Sequence, residues 1–262
     1  VEFLKYILTI AGSDSMGGAG IQADIKTIMA LGGHALTAIT AVTAQNSFEI
    51  TAVQAMPQAM LLKQIAAVMA DIRPDAVKIG MLANGGLIRT VARAIRQYDL
   101  ANVVVDPVLK ASTGRDLLES EAVALYREIL LPLARVVTPN LNEAGLLSGI
   151  RVRTLKDMEK AARILKALGP DVIITGGHLQ KECTDLVYDG SRFHYLTHQK
   201  IATPHTHGTG CTFSAALATF LAQGWDLKKA GKKAQQFTRA AISTGYACGQ
   251  GAGPVNPFQG RR

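Results

Sequence analysis

Long apolar runs are missing from this sequence. Nothing in it approaches the roughly 18 uninterrupted apolar residues that a membrane-spanning helix needs, so neither a membrane helix nor a membrane partner is expected. The start, Val1-Glu2-Phe3-Leu4-Lys5-Tyr6, lacks the charged, apolar and cleavage-site layout of a signal peptide, and no secretory leader is expected. Cysteine is scarce. Cys183, Cys211 and Cys248 are odd in number, far apart and form no C-x-x-C pair, which indicates neither a disulfide framework nor a zinc site. A reducing cytoplasm suits that pattern. Aromatic residues make up only 5%, and the basic residues are scattered rather than interleaved with aromatics, which disfavours nucleic acid. No Pro/Ser-rich linker, low-complexity tract or repeat divides the chain, so a single domain over residues 1–262 is expected.

What is present is a core-forming composition: 48% hydrophobic and 18% charged residues, dominated by small aliphatics. The net charge of +8 either draws anions such as nucleotides and phosphorylated metabolites or is a solvated basic surface. Short apolar runs at Tyr6–Ile10, Leu36–Thr43, Ala76–Ile79, Val103–Val105, Arg135–Val137 and Val172–Ile174 read as buried strands. Helical patterns lie between them: Ile21–Leu31, Gln58–Ile72, the stretch through Leu87, Val91 and Ile95, Glu119–Leu130, and a helix from Thr154 closed by Gly169. Asp189-Gly190 turns a hairpin within residues 185–195, and two long helices finish the chain. Repeated strand–helix alternation with short connections predicts a mostly parallel sheet with helices on both faces, the hairpin forming an antiparallel edge.

In such sheets ligands bind beyond the carboxyl ends of the strands. The polar and Gly-rich segments fall there: Gly12-Ser13-Asp14, Gln45-Asn46, Gly80-Met81, Asp106, Thr138-Pro139-Asn140 and Gly176-Gly177-His178. The strongest local signal is Thr206-His207-Gly208-Thr209-Gly210-Cys211, followed by Phe213, Ala216, Leu217 and Phe220 at helical spacing. A Gly-rich turn opening a helix aims unpaired N–H groups and the helix dipole at one point, a fitting place for a phosphoryl group in transfer. The same field lowers a thiol pKa, so Cys211 is expected to favour thiolate and to take a proton from an acceptor hydroxyl. The alternative is that the glycines serve a tight turn and the cysteine close packing. No G-x-x-x-x-G-K-[ST] occurs, which excludes a P-loop. Gly18-Ala19-Gly20-Ile21-Gln22-Ala23 fits the loose dinucleotide pattern, but no acid ends the second strand, and NAD is disfavoured. Asp106 and Glu143 follow strands on the ligand side and are candidates for Mg²⁺, which takes a few carboxylates and keeps several waters. His205 and His207 read as polar loop residues rather than a metal pair.

These motifs, in this order, resemble the hydroxymethylpyrimidine/phosphomethylpyrimidine kinases of thiamine biosynthesis, in the ribokinase-like superfamily. Leu8–Asp14, Gly17–Asp24, Thr43–Asn46, Lys78–Met81, Val105–Val108, Thr138–Glu143, Thr206–Cys211 and Gly253–Asn256 carry the likeness over essentially the whole chain. It implies a three-layer α/β/α fold and ATP-dependent phosphorylation of 4-amino-5-hydroxymethyl-2-methylpyrimidine and then of its monophosphate, with ATP and Mg²⁺. It implies Cys211 at the catalytic position with Gly208, Thr209 and Gly210 as anion hole, and Asn140, Thr175, Gly177 and Thr209 for the nucleotide. Asp106 and Glu143 then serve the metal, and Gly12, Asp24, Gln45, Met81 and Val108 the pyrimidine. One carboxamide, that of Gln45, can meet both the amino donor and the ring-nitrogen acceptor of an aminopyrimidine. A homodimer is implied as well. One departure stands out: members commonly carry Lys where this chain has Thr175, which weakens the second phosphorylation or passes its charge to another cation. A pyridoxal/pyridoxine kinase of the same superfamily and a non-catalytic nucleotide-binding module are the competing readings.

Overall fold

A computed structural model describes residues 4–109, 120–177 and 183–259. The first half of the chain runs β1 (Tyr6–Asp14), α1 (Gly20–Ala30), β2 (His34–Gln45), β3 (Ile50–Ala55), α2 (Gln58–Met69), β4 (Ala76–Ile79) and α3 (Gly85–Tyr98). The middle follows with β5 (Val103–Val105), α4 (Ser120–Leu125), β6 (Val136–Val137), α5 (Leu141–Ser148), α6 (Leu155–Lys166) and β7 (Asp171–Ile174). The last part is β8 (Cys183–Tyr188), β9 (Phe193–His198), α7 (Thr209–Ala222) and α8 (Leu227–Ser243). His178 of the Gly-Gly-His turn and Glu119 at the expected helix start lie outside the described residues.

The strands form one nine-stranded sheet in the order β3-β2-β1-β4-β5-β6-β7-β8-β9. Pairings from β2 to β7 are all parallel, as the alternation of elements requires. The predicted hairpin is β8–β9, antiparallel at one edge and turned at Gly190 with φ +96°. The other edge differs from expectation. β3 pairs antiparallel with β2, so both edges of the sheet are antiparallel. Its sequence, Ile-Thr-Ala-Val-Gln-Ala, breaks its apolar residues with Thr and Gln and leaves three of six positions exposed, as an edge strand can.

The period-2 rule divides the strand residues between two apolar layers. Leu8, Ile10, Val77, Ile79, Val105 and Val137 face α2, α3, α5 and α6. Ile7, Ala76, Val104, Val136 and Ile173 face the other way, against α7, α8 and Ile28 of α1. The result is the three-layer α/β/α architecture. Helix starts are capped by local chemistry: Asn84 for α3, a Thr154–Asp157 capping box for α6 and Asp226 for α8. α6 ends at Lys166, so Gly169 (φ +125°) sits in the turn beyond the helix rather than closing it.

Candidate active site

The carboxyl ends of β1, β2, β4, β5, β6 and β7 open into one cavity of about 760 Å³. Because the sheet order is β2-β1-β4-β5-β6-β7, residues distant in sequence arrive side by side. Gly12, Gln45, Met81 and Val108 line one end of it. Asn140, Thr175 and Gly177 line the other, Asn140 and Thr175 being joined as an extra parallel bridge past β6 and β7. Asp106 and Glu143 stand between, over the turn Gly208–Cys211. Asp24 corrects the expectation of direct contact. It is fully buried on α1, does not line the cavity, and binds Lys78 instead.

The turn is shaped by its glycines. Gly208, the residue before α7, has φ +82°, and a Cβ there would collide with the Gly18 carbonyl oxygen. A Cβ on Gly18 would in turn collide with the His207 ring, so the two Gly-rich loops are interlocked. Thr209 Oγ1 donates to the Thr206 carbonyl at 2.7 Å. The C-terminal segment straps the turn from outside: His207 N–H donates to Gly253 O and Val255 N–H to His207 O, each at 3.1 Å. α7 therefore presents its first N–H groups toward the cavity from a fixed position.

His207 proves to be a built part of the site rather than a loose loop residue. Its Nε2 lies 2.9 Å from Asp14 Oδ2 and 3.5 Å from the Gln45 amide nitrogen, and it is 7% exposed. Asp14 also accepts N–H bonds from Met16, Gly18 and Ala19. Burial would raise the Asp14 pKa, but the bonds from His207 and the backbone outweigh it and hold the carboxyl below its usual range. His205 is separate from this cluster, with a buried Nδ1 that finds no hydrogen-bond partner among the described residues.

Charge is concentrated where Cys211 begins α7. Lys78 on β4 is fully buried, and its Nζ lies 2.9 Å from both Asp24 carboxylate oxygens. Thr9 Oγ1 donates to Asp24 at 2.5 Å. Burial opposes the Lys78 charge, yet Asp24, Cys211 and Asp106 raise its pKa, so it stays an ammonium. Asp106, 5% exposed, accepts from Ser214 Oγ at 2.9 Å. Cys211 reverses the expected direction. Burial pushes its thiol up to about 12, with Asp24 and Asp106 adding to the rise, against Lys78 and the Gly20 N–H. Desolvation and two carboxylates outweigh the Lys78 ammonium and the Gly20 N–H.

Glu143 has two roles in the geometry. Its Oε2 accepts the Asn140 N–H at 2.9 Å while Asn140 Oδ1 accepts the Glu143 N–H at 3.0 Å, a capping box that starts α5. Its carboxyl is also pushed up to about 8, first by burial and then by the Asp106 charge. Such a carboxyl keeps its proton in the folded chain up to about 8 and loses it near 4.5 when unfolded. Stability should therefore fall as pH rises through that window and level off above it. Glu143→Gln, which retains the cap, should raise the melting temperature relative to the unsubstituted protein at pH 8 and leave it nearly unchanged at pH 4. Equal melting temperatures at pH 8 would contradict the shift. The repulsion between two buried carboxylates is what a divalent cation relieves. Among the described residues no group of three or more His, Cys, Asp or Glu is placed to hold a metal ion.

The far end of the cavity holds residues that local sequence signals miss. Asp185 on β8 accepts from Gly176 N–H and Gln235 Nε2, each at 2.8 Å, with Thr238 and Arg239 of α8 beside them. Lys78 and His207 pair with side chains more than 50 residues away, and Asp185 reaches Gln235 across 50 residues.

The chain is similar to known proteins over nearly its whole length. The phosphomethylpyrimidine kinase family model matches residues 14–256. The hydroxymethylpyrimidine/phosphomethylpyrimidine kinase of Bacillus subtilis strain 168 is 48% identical over 258 residues, covering 97% of this chain and 95% of the relative. Among solved structures, the ADP complex of Bacillus subtilis pyridoxal kinase superposes with a TM-score of 0.91 at 41% identity, covering 97% of both chains. A phosphomethylpyrimidine kinase from Clostridium difficile 630 does so at 0.81 and 38% identity, over 91% of this chain and 99% of the other.

Proposed function

The chain belongs to the phosphomethylpyrimidine kinase family, and on that premise we propose which of its residues perform each part of the reaction. The activity is ATP-dependent phosphorylation of 4-amino-5-hydroxymethyl-2-methylpyrimidine to the monophosphate and then to the pyrophosphate, in thiamine biosynthesis. One observation supports the assignment of residues above the rest: a single cavity joins a carboxamide end, a carboxylate pair and a helix-start turn.

Gln45 meets the aminopyrimidine edge, its amide oriented by Thr43 and by contact with His207. Gly12, Met81 and Val108 give the ring an apolar seat. ATP occupies the end lined by Asn140, Thr175, Gly177 and Thr209, bringing its γ-phosphoryl group over Gly208–Cys211. Fixed N–H donors there stabilise charge on the transferring group without reorganising. Asp106 and Glu143 would hold Mg²⁺, which when bound neutralises charge on the phosphates. Cys211 takes the acceptor's proton in the first transfer. In the second, the acceptor is a phosphate oxygen already ionised, and no such help is needed. The chain acts as one kinase domain. A homodimer belongs to the reading, supported by the exposed Val42 and Phe48 at the β2–β3 edge. No helix among the described residues is long and apolar enough to cross a membrane, and the three unpaired cysteines support a reducing cytoplasm.

The pyridoxal kinase structure superposes more closely than the phosphomethylpyrimidine kinase one, which keeps pyridoxal as the comparison substrate. Gln45→Leu separates the two. It should raise KM for the aminopyrimidine alcohol by roughly tenfold to a hundredfold, as expected for a lost bidentate contact, with KM for ATP unchanged. Steady-state kinetics with each substrate measures this, and an unchanged KM for the alcohol would remove Gln45 from the pyrimidine site.

A further inference from the structure

Lys78 and Asp24 form a buried ion pair that the steps above do not use. Lys78 shares a strand face with Ala76, in the apolar layer beneath α7 and α8, where a charge is costly to place. Its register partner on β1 is Thr9, whose hydroxyl binds Asp24. The ammonium is therefore fixed from three elements: β4, β1 and α1. Its Nζ reaches the ligand edge, since a Cβ on Gly80 would lie 2.9 Å from it. Lys78 lines the cavity together with Cys211, while Asp24 stays behind it.

We propose that the Asp24–Lys78 pair is a positioning device for Cys211, its fixed ammonium holding the negative charge of the sulfur while the sulfur serves as proton acceptor. The proposal rests on the reading of Cys211 given above. In the first transfer the alcohol oxygen bonds to the γ-phosphorus as the bond from phosphorus to the bridging oxygen breaks, its electron pair leaving with ADP. The alcohol proton passes to the Cys211 thiolate, and the resulting thiol later releases it to solvent. The thiolate needs a resident cation. Lys78, Asp106 and Gly20 line the same cavity as Cys211, with Asp24 paired behind Lys78, and the charges that act on the sulfur are those of Lys78, Asp24 and Asp106 beside the Gly20 N–H. Lys78 is the one cation of this set, and its favourable influence on the thiolate exceeds the opposing influence of Asp24. Asp24 thus does two opposed things: it holds the ammonium in place and tempers its field.

That opposition supplies a test that a merely structural role would fail. Alkylation of Cys211 by iodoacetamide, followed on its own peptide by mass spectrometry from pH 7 to 10, reports the thiolate fraction in the full-length ligand-free protein. Lys78→Met should slow alkylation by about tenfold or more, one unit of pKa or above. Asp24→Asn, which removes the negative charge and keeps one oxygen to accept from Lys78, should accelerate it. The neutral double variant Asp24→Asn/Lys78→Met guards against misfolding of the single ones, and should react more slowly than the unsubstituted protein. An unchanged rate in Lys78→Met, both single variants moving the same way, or a double variant as fast as the unsubstituted protein would overturn the proposal. Turnover of the alcohol by Cys211→Ala is measured in parallel. If that variant keeps full activity while alkylation responds as described, the proton-acceptor reading fails and the ammonium's effect on the sulfur stands. If it loses activity while alkylation ignores Lys78 and Asp24, the reading stands and the pair's role falls.

Discussion

Cys211→Ala should slow phosphorylation of the aminopyrimidine alcohol by on the order of a hundredfold, while transfer to the monophosphate stays within about fivefold. The asymmetry follows from the acceptors. A hydroxymethyl group must lose a proton as its oxygen bonds to phosphorus, whereas a phosphate oxygen is ionised beforehand. It also follows that the two steps respond differently to pH. With the Cys211 thiol pushed up to about 12, the thiolate fraction grows throughout the accessible alkaline range. The alcohol step should accordingly quicken from pH 7 to 9, and the second step should not share that rise. ADP release measured with each acceptor, in the unsubstituted protein and in Cys211→Ala, gives both comparisons. Equal losses on the two steps would remove the cysteine from proton transfer.

Gly208→Ala should be the most damaging single-methyl change in the site. The residue lies at φ +82°, where a side chain costs roughly 1–2 kcal/mol. The added Cβ would also meet the backbone of Gly18, which cannot step aside as a flexible side chain would. Together these should destabilise the fold by about 2–4 kcal/mol. Relief would part the two Gly-rich loops, moving the start of α7 away from the transferring phosphoryl group, so turnover should fall as well. Gly210→Ala is the internal control for stability, because its Cβ would meet nothing nearer than Asp106 Oδ2 at 3.9 Å. Thermal melts of the two variants should differ by several degrees. If Gly208→Ala melts with the unsubstituted protein, the interlock of the loops does not hold the turn.

Strand–helix alternation made the parallel core of the sheet legible, because fully buried strands such as Val103–Val105 read as apolar runs whatever packs on them. Edges were less so. β3 carries Thr51, Ala52 and Gln54 toward solvent or its partner and has no apolar run to mark it. α5 is eight residues long with Gly145 inside and no helical pattern marked it; Asn140-x-x-Glu143, which the resemblance read as a metal and phosphate motif, proves also to be its capping box. Both readings of that motif describe the same carboxyl. The cavity-lining residues were largely found from motifs, since backbone turns need particular residue types at particular spacings. The electrostatics were not. The direction of the Cys211 shift depends on Asp24 and Asp106, from α1 and from the loop after β5, and on burial that no local pattern announces. Lys78 inside an apolar strand acquires its meaning only when Asp24, 54 positions away, is seen beside it.

The substitution of Thr175 for the family's usual lysine bears on the second step. Thr175 lines the cavity next to Asn140, and under the proposed assignment its neutral hydroxyl would leave more of the phosphate charge to the α7 N–H groups. The central claim is that one sheet edge combines an aminopyrimidine seat with a phosphoryl-transfer turn. Its most direct test is kcat/KM from ADP release with the hydroxymethylpyrimidine, its monophosphate and pyridoxal side by side. The account predicts turnover of both pyrimidines, the alcohol well ahead of pyridoxal. Pyridoxal turning over as well as or better than the alcohol, or no ADP from either pyrimidine, would contradict it.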